Sequence, residues 1–188
     1  VEGGIFIDGI DTSKVSVYDL RRHLNIIPQD SQAISGTIRQ NLDPLGRHTD
    51  EELWAALELS HLKEHINTLS ESDQLSCTVA DGGLNFSSGQ LQLMCLARAL
   101  LNPSKIILLD EATAAVDVQT DKVVQETIRK HFLDRTIITI AHRLDTVMDS
   151  DRILTLNKGE ICDFDTPEAL LADEKSIFYQ LCKQGGYI

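Results

Sequence analysis

The sequence lacks long apolar runs and is short of positive charge. Its 188 residues contain 17 Lys and Arg against 29 Asp and Glu, which gives a formal net charge of -12. Apolar runs such as residues 106–109 reach the length of a strand, whereas a membrane-spanning helix needs about 20 apolar residues. Nucleic acids and anionic lipid surfaces usually bind basic faces, so neither is an expected partner.

The four cysteines also lack the spacing of a metal or redox site. They form no Cys-x-x-Cys pair, and none has a histidine at zinc-site spacing. We expect reduced thiols in the cytosol, with Cys95 acting as a small buried hydrophobic residue in a helix. No glycine is followed by lysine, which excludes a G-x-x-x-x-G-K-[ST] phosphate-binding loop within the chain.

Hydrophobic periodicity predicts an α/β fold in which strands alternate with helices over the last hundred residues. Residues 30–96 show helical patterns only and indicate a helical insertion. Continuous apolar runs at 106–109 and 136–141 are typical of strands buried on both faces of a parallel sheet. The other predicted strands are residues 5–7, 24–27, 153–156 and 161–164, and the predicted helices begin at residue 50, near residue 88, and at residues 121, 167 and 177.

Two acids follow the predicted strand 106–109. Carboxylates at the end of an apolar strand are costly unless they reach water, a metal or a partner. Ligands of parallel α/β sheets bind beyond the carboxyl ends of the strands. One interpretation has Asp110 hold Mg²⁺ through water and Glu111 polarise the water that attacks a γ-phosphate. On spacing alone, two solvated acids explain the pair equally well.

Polar groups follow two other predicted strands. His142 follows strand 136–141 and could hydrogen-bond a γ-phosphate, although a surface histidine beside Arg143 is the simpler interpretation when it is taken alone. Gln29 follows strand 24–27, and its amide could contact Mg²⁺ or water, although an ordinary loop glutamine is again simpler. These groups converge if the three strands are neighbours.

A further candidate opens the helix that begins near residue 88. Helix N-termini present unpaired N–H groups and the positive end of the helix dipole, which favours anions. Gly89 permits a close backbone approach. Ser87, Ser88, Gly89 and Gln90 could therefore contact a phosphate, and a plain serine N-cap explains the same residues.

The order and spacing of these residues resemble the nucleotide-binding domain of ATP-binding-cassette (ABC) transporters, over nearly the whole chain. In that family's terms, Gln29 matches the Q-loop, Ser87, Gly89 and Gln90 match the signature motif (usually Leu-Ser-Gly-Gly-Gln), Asp110 and Glu111 match Walker B and the catalytic glutamate, Asp117 matches the D-loop, and His142 matches the switch histidine.

This resemblance implies a P-loop NTPase cassette in which residues 1–28 and 97–188 form the α/β core and residues 29–96 form a helical subdomain. It also implies ATP and Mg²⁺ as ligands. The implied roles are catalysis by Glu111, His142 and Gln29, metal binding by Asp110 and Gln29, and nucleotide binding by Ser87, Ser88, Gly89, Gln90 and Asp117.

Residues 36–44 and 110–117 resemble the second cassette of the C subfamily, the multidrug-resistance-associated type. The first cassette of that subfamily often lacks the glutamate, so Glu111 indicates the cassette that hydrolyses ATP. The resemblance implies a membrane exporter of organic anions, conjugates or drugs. Its cassette would lie at the cytosolic face, pair head to tail with a second cassette, and contact the transmembrane domains through Gln29 and the segment after it.

The chain departs from the family pattern in two respects. Phe86 stands where the signature usually has Leu, and Ser88 stands where it has Gly or, in some relatives, Val. Compared with Gly, Ser88 adds a Cβ and a hydroxyl where a phosphate would approach. In the family the Walker A loop comes just before the stretch at residues 3–9, and the aromatic residue that stacks on adenine lies further upstream. We therefore expect a truncated cassette that, in isolation, neither binds ATP tightly nor hydrolyses it.

Two other functions stay open. One is a soluble ABC ATPase acting in translation or repair, against which the stretch 41–44 and the net acidity argue. The other is a non-catalytic truncated cassette with at most a binding role, which the missing phosphate loop favours for the chain in isolation.

Overall fold

The computed structural model describes residues 3–29, 31–69, 73–110, 118–141 and 143–188. The chain divides into two compact units, residues 1–140 and 141–188. The strands are β1 (Phe6–Ile7), β2 (Ile10–Asp11), β3 (Leu24–Ile27), β4 (Gly36–Thr37), β5 (Thr78–Val79), β6 (Ile106–Asp110), β7 (Thr136–Ile140), β8 (Ile153–Asn157) and β9 (Glu160–Asp165). The α-helices are α1 (Val17–His23), α2 (Ile38–Leu42), α3 (Asp50–Leu59), α4 (Lys63–Asn67), α5 (Ser88–Leu101), α6 (Val118–His131), α7 (Pro167–Ala172) and α8 (Ile177–Gln184).

A parallel sheet in the order β3-β6-β7 forms the centre of the first unit. Ile27 of β3 lies opposite Leu109 of β6, and Asp110 of β6 lies opposite Ile140 of β7. Ile27, Ile107 and Leu109 pack into one hydrophobic cluster with residues of α3, α5 and α6. The three strands are therefore neighbours, which is the condition that the sequence analysis set for the polar groups after them to converge.

The prediction that residues 136–141 form a strand buried on both faces is wrong. Ile138 and Ile140 are 54% and 58% exposed, and Ile26 on β3 is 58% exposed. In β6, Ile107 and Leu109 are buried but the alternate residues are only half-buried. In β3 and β6 buried residues stand beside exposed or half-buried ones, because successive side chains of a strand point to opposite faces of the sheet.

Side-chain caps fix the helix starts. Thr49 accepts a hydrogen bond from the Glu52 N–H, and the Glu52 carboxylate accepts one from the Thr49 N–H, which forms a capping box at the start of α3. α3 therefore begins at Asp50, as predicted. The expectation of a helix-only middle segment is wrong in one detail, because β4 and β5 pair there as a short antiparallel ladder. None of the helices in the described ranges is long and apolar enough to cross a bilayer.

The second unit is a β-hairpin with two helices. β8 and β9 pair in antiparallel fashion around the predicted turn, where Lys158 and Gly159 both have positive φ. Its apolar cluster includes Phe178 and Cys182, and burial raises the pKa of the Cys182 thiol above its ordinary value.

Asp163 ties the hairpin to the start of α8. Its Oδ2 atom accepts hydrogen bonds from the Thr155 hydroxyl (2.6 Å) and from the backbone N–H groups of Ile177 (2.9 Å) and Phe178 (3.2 Å). Ser176 caps the next N–H of the helix, that of Tyr179. Each of the first three N–H groups of α8 therefore has an acceptor, although no earlier helical turn can supply one.

We expect Asp163→Ala to loosen this end of α8. The change removes a charged acceptor and leaves the buried Thr155 hydroxyl without this partner. Losing such bonds costs about 2 kcal/mol, so hydrogen exchange at Ile177 and Phe178 should accelerate roughly 30-fold. Asp165→Ala is the matched control, because the Asp165 carboxylate accepts from the adjacent Thr166 N–H and not from α8. Equal acceleration in both variants would contradict the assignment.

Candidate functional site

Two of the sequence-predicted site residues lie at the carboxyl edge of the parallel sheet. Asp110 is the last residue of the central strand β6, and Gln29 follows β3 by two residues. The register sets Ile27 beside Leu109, so the backbone leaves β3 next to Asp110. Both side chains are exposed. An exposed carboxylate at a strand end avoids the cost of burying a charge and can bind a ligand from solvent.

The donor set at this edge suits Mg²⁺. The ion prefers oxygen ligands, keeps several waters and is usually held by one or two carboxylates together with substrate phosphates. Asp110 supplies a carboxylate and Gln29 an amide oxygen. Within the described residues no group of three or more His, Cys, Asp or Glu side chains forms a separate metal cluster. The predicted residues Glu111, Asp117 and His142 lie outside the described residues.

The predicted signature residues form the first turn of α5. Ser87 is the N-cap: its hydroxyl oxygen accepts from the Gln90 N–H at 3.2 Å, and the Gln90 side-chain oxygen accepts from the Ser87 N–H at 2.9 Å. Ser87 and Ser88 are exposed, Gly89 is buried and Gln90 is half-buried. The turn thus points its N-terminal end outward, which leaves both the anion-site interpretation and the plain cap compatible with the geometry.

Phe86 is an anchor for this turn rather than a ligand-facing group. Its side chain is 7% exposed and lies in the main hydrophobic cluster. The ring meets the His65 ring edge to face, with centroids 5.7 Å apart. The Phe86 N–H donates to the Gly83 carbonyl at 2.8 Å. Replacing the usual leucine by phenylalanine therefore keeps an apolar anchor in front of the exposed serines.

The segment at residues 31–37 follows Gln29, and two residues that the sequence analysis did not single out bind its backbone. Asn41 of α2 is 3% exposed, and its amide hydrogen-bonds both the N–H and the C=O of Ile34. Arg98 of α5 donates to the Gln32 carbonyl at 2.8 Å. A cationic side chain inside the apolar stretch of α5 was the available sequence signal for Arg98, and Asn41 lies within the stretch 36–44 that resembles the C subfamily.

A cavity of about 400 Å³ lies between the end of β3 and α5, beside this segment. Its lining combines polar groups with apolar ones. The lining residues are Asn25, Ile26, Pro28, Gln32, Cys95 and Arg98.

Comparison with known proteins shows the family of the chain. The family model for ABC transporters matches residues 1–114. The chain is 60% identical over 187 residues to metal resistance protein YCF1 of Saccharomyces cerevisiae, and 50% identical over 185 residues to ATP-binding cassette sub-family C member 3 of Rattus norvegicus. These matches cover 100% and 98% of this chain, but the chain spans only 12% of the length of each relative.

A solved structure gives the same result for the fold. A bacterial Atm1-family ABC exporter with ATP bound matches with a TM-score of 0.87 and 33% identity. The match covers 98% of this chain and 32% of that one. The α/β arrangement with a helical insertion is thus that of an ABC cassette.

Proposed function

This chain belongs to the ABC transporter family, and from that premise we propose that it forms an ATP-binding and ATP-hydrolysing cassette of a membrane exporter. The observation that carries the proposal is the shared sheet edge, where Asp110 ends one strand and Gln29 follows the neighbouring parallel strand. Oxygen ligands at such an edge suit a Mg²⁺-bound triphosphate.

Asp110 and Gln29 would hold Mg²⁺ through their side-chain oxygens. When bound, the metal ion offsets charge on the phosphate oxygens. Glu111 accepts a hydrogen bond from the attacking water and draws its proton. By family resemblance, His142 contacts the γ-phosphate.

The signature turn serves a second site. Ser87, Ser88, Gly89 and Gln90, with Asp117, contact an ATP bound by a second cassette that is paired head to tail. The outward N-terminus of α5 favours the phosphate charge. The side-chain oxygen of Gln90 is already bonded within the capping box, so its use on nucleotide requires that box to open. Because no Gly-Lys occurs in the chain, the phosphate cradle of its own site must come from residues outside it.

We further propose that the whole protein exports organic anions, conjugates or drugs, with this cassette as the second of two. The likeness to a relative named for metal resistance and to a sub-family C member supports that class. By family resemblance, Gln29 and residues 31–37 would contact the transmembrane domains, with the cassette at the cytosolic face of the membrane.

The full-length protein in sealed lipid vesicles tests this function. We expect Mg²⁺-dependent ATP hydrolysis together with accumulation of a radiolabelled amphiphilic organic anion that stops when ATP is withheld. The isolated 188 residues should not bind ATP with micromolar affinity. Hydrolysis without uptake of any organic anion tested would favour an ABC ATPase outside transport, and absence of hydrolysis would favour a non-catalytic cassette.

A further inference from the structure

The segment at residues 31–37 is held by side chains from two helices. Residues 31–35 adopt no regular secondary structure. Ala33 is buried in the main cluster, while Ile34 is 57% exposed. The backbone on either side of Ala33 is bound at Gln32, Ile34 and Thr37, and the partners are two buried or half-buried polar residues.

Asn41 uses its whole side-chain amide on this task. Its Oδ1 atom accepts from the Ile34 N–H at 2.9 Å and from Arg98 Nη2 at 2.9 Å. Its Nδ2 group donates to the carbonyls of Ile34 (2.8 Å) and Thr37 (3.0 Å). A fully satisfied buried amide imposes one geometry on its partners, because each lost bond would leave a buried polar group unpaired.

Arg98 joins the same network to α5. Its guanidinium donates to the Asn41 carbonyl at 2.5 Å, to Asn41 Oδ1 and to the Gln32 carbonyl at 2.8 Å. Weaker contacts reach the sulfur atoms of Met94 and Cys95. In the described part of the chain these acceptors include no carboxylate. A half-buried cation bonded to backbone and amide oxygens holds the backbone that presents them.

The spacing along α5 connects this network to the signature turn. Ser88 and Arg98 lie ten residues apart on one continuous helix, about 15 Å at 1.5 Å per residue. Gln32 and Arg98, which this network joins, also line the cavity between the end of β3 and α5.

We propose that Arg98 and Asn41 are positioning residues that clamp the backbone of residues 32–37 to α5, so that a movement of the signature helix on ATP engagement is passed to this segment. The proposal rests on the proposed function, because it takes ATP to be what the signature turn engages. The hydrogen bonds of Arg98 and Asn41, all within one cassette, would transfer that movement toward the surface that carries Ile34.

Hydrogen exchange of the full-length protein tests the clamp. The protein carries Glu111→Gln so that Mg·ATP stays bound, and exchange is followed in peptides spanning residues 31–37 and 86–92. With the clamp intact, ATP should change the exchange of both peptides. In Arg98→Lys, which loses the planar fork, the 86–92 response should persist and the 31–37 response should fall by about tenfold.

A matched control is available at the same end of α5. Arg135 donates to the carbonyls of Ala99 (3.3 Å) and of the α5 C-cap Asn102 (2.8 Å), and these hydrogen bonds do not involve residues 31–37. Arg135→Lys should preserve both responses. Asn41→Asp, which keeps an acceptor for Arg98 but loses the two amide donors, should speed exchange in 31–37 even without ATP.

The outcomes distinguish failure of the clamp from failure of the proposed function. If ATP changes exchange in peptide 86–92 but not in peptide 31–37 of the protein with Arg98 and Asn41 intact, the clamp is overturned. An unaltered ATP response of peptide 31–37 in Arg98→Lys also overturns it. Equal loss of the response in both peptides of Arg98→Lys, together with a lowered melting temperature, means that Arg98 has a merely structural role and also overturns the clamp. No ATP response in either peptide contradicts the proposed function itself.

Discussion

Replacing Glu111 by Gln in the full-length protein is expected to lower ATP turnover by about 10²- to 10⁴-fold, the range that a positioned general base contributes. Glutamine keeps the size of the side chain but cannot accept the proton of the attacking water. Nucleotide binding should survive, because the groups that would hold the phosphates and the metal are unchanged. Turnover at saturating Mg·ATP and equilibrium nucleotide binding, measured on one preparation, separate the two effects.

Asp110→Asn should act differently. Losing the carboxylate at the end of β6 weakens the hold on Mg²⁺, so turnover should fall and the Mg²⁺ concentration for half-maximal binding of ATP should rise. Glu111→Gln should leave that concentration unchanged.

Asp134→Asn is the control for both variants. Asp134 is also an exposed carboxylate, but it lies just before β7, at the opposite edge of the same sheet. A hydrogen bond from Lys105 and the Lys105 charge lower its pKa. Its neutralisation should leave turnover within about twofold, as is usual for a surface change remote from a site. Retention of more than a tenth of the turnover by Glu111→Gln would remove Glu111 from the role of base.

Local signals account for what the sequence predicts well. The starts of α3 and α5 follow from Thr49 and Ser87, because each forms a capping box with a residue only three positions further along the chain. The strands 24–27 and 106–109 follow from apolar runs that end at Pro28 and Asp110. The turn at 157–159 follows from its own composition.

Tertiary context accounts for what the sequence does not predict. Strands β4 and β5 are two residues each, too short to show periodicity. The exposure of Ile138 depends on which elements cover the sheet, which the strand's own residues do not encode. The Arg98–Asn41 pair joins positions 57 residues apart, so neither residue reveals its partner in the sequence.

Phe86→Ala is expected to destabilise the first unit by about 3–5 kcal/mol, the usual cost of truncating a buried phenylalanine. The change empties a site in the main cluster and removes the edge-to-face contact with His65. Trp54 is the single tryptophan of the chain and packs against the same cluster from α3, so its fluorescence during urea unfolding reports on this unit.

Two further variants decide what Phe86 does for the signature turn. Phe86→Leu restores the family's usual residue and should cost only about 1 kcal/mol, because most of the apolar volume remains. Leu84→Ala removes a neighbouring side chain that is 87% exposed, and should change stability by less than about 0.5 kcal/mol. If Phe86→Ala proved as mild as Leu84→Ala, the ring would not be an anchor. If instead Phe86→Leu preserves both stability and ATP turnover, Phe86 only exchanges one buried anchor for another. Ser88 is then the one departure from the usual signature that alters the contact with phosphate.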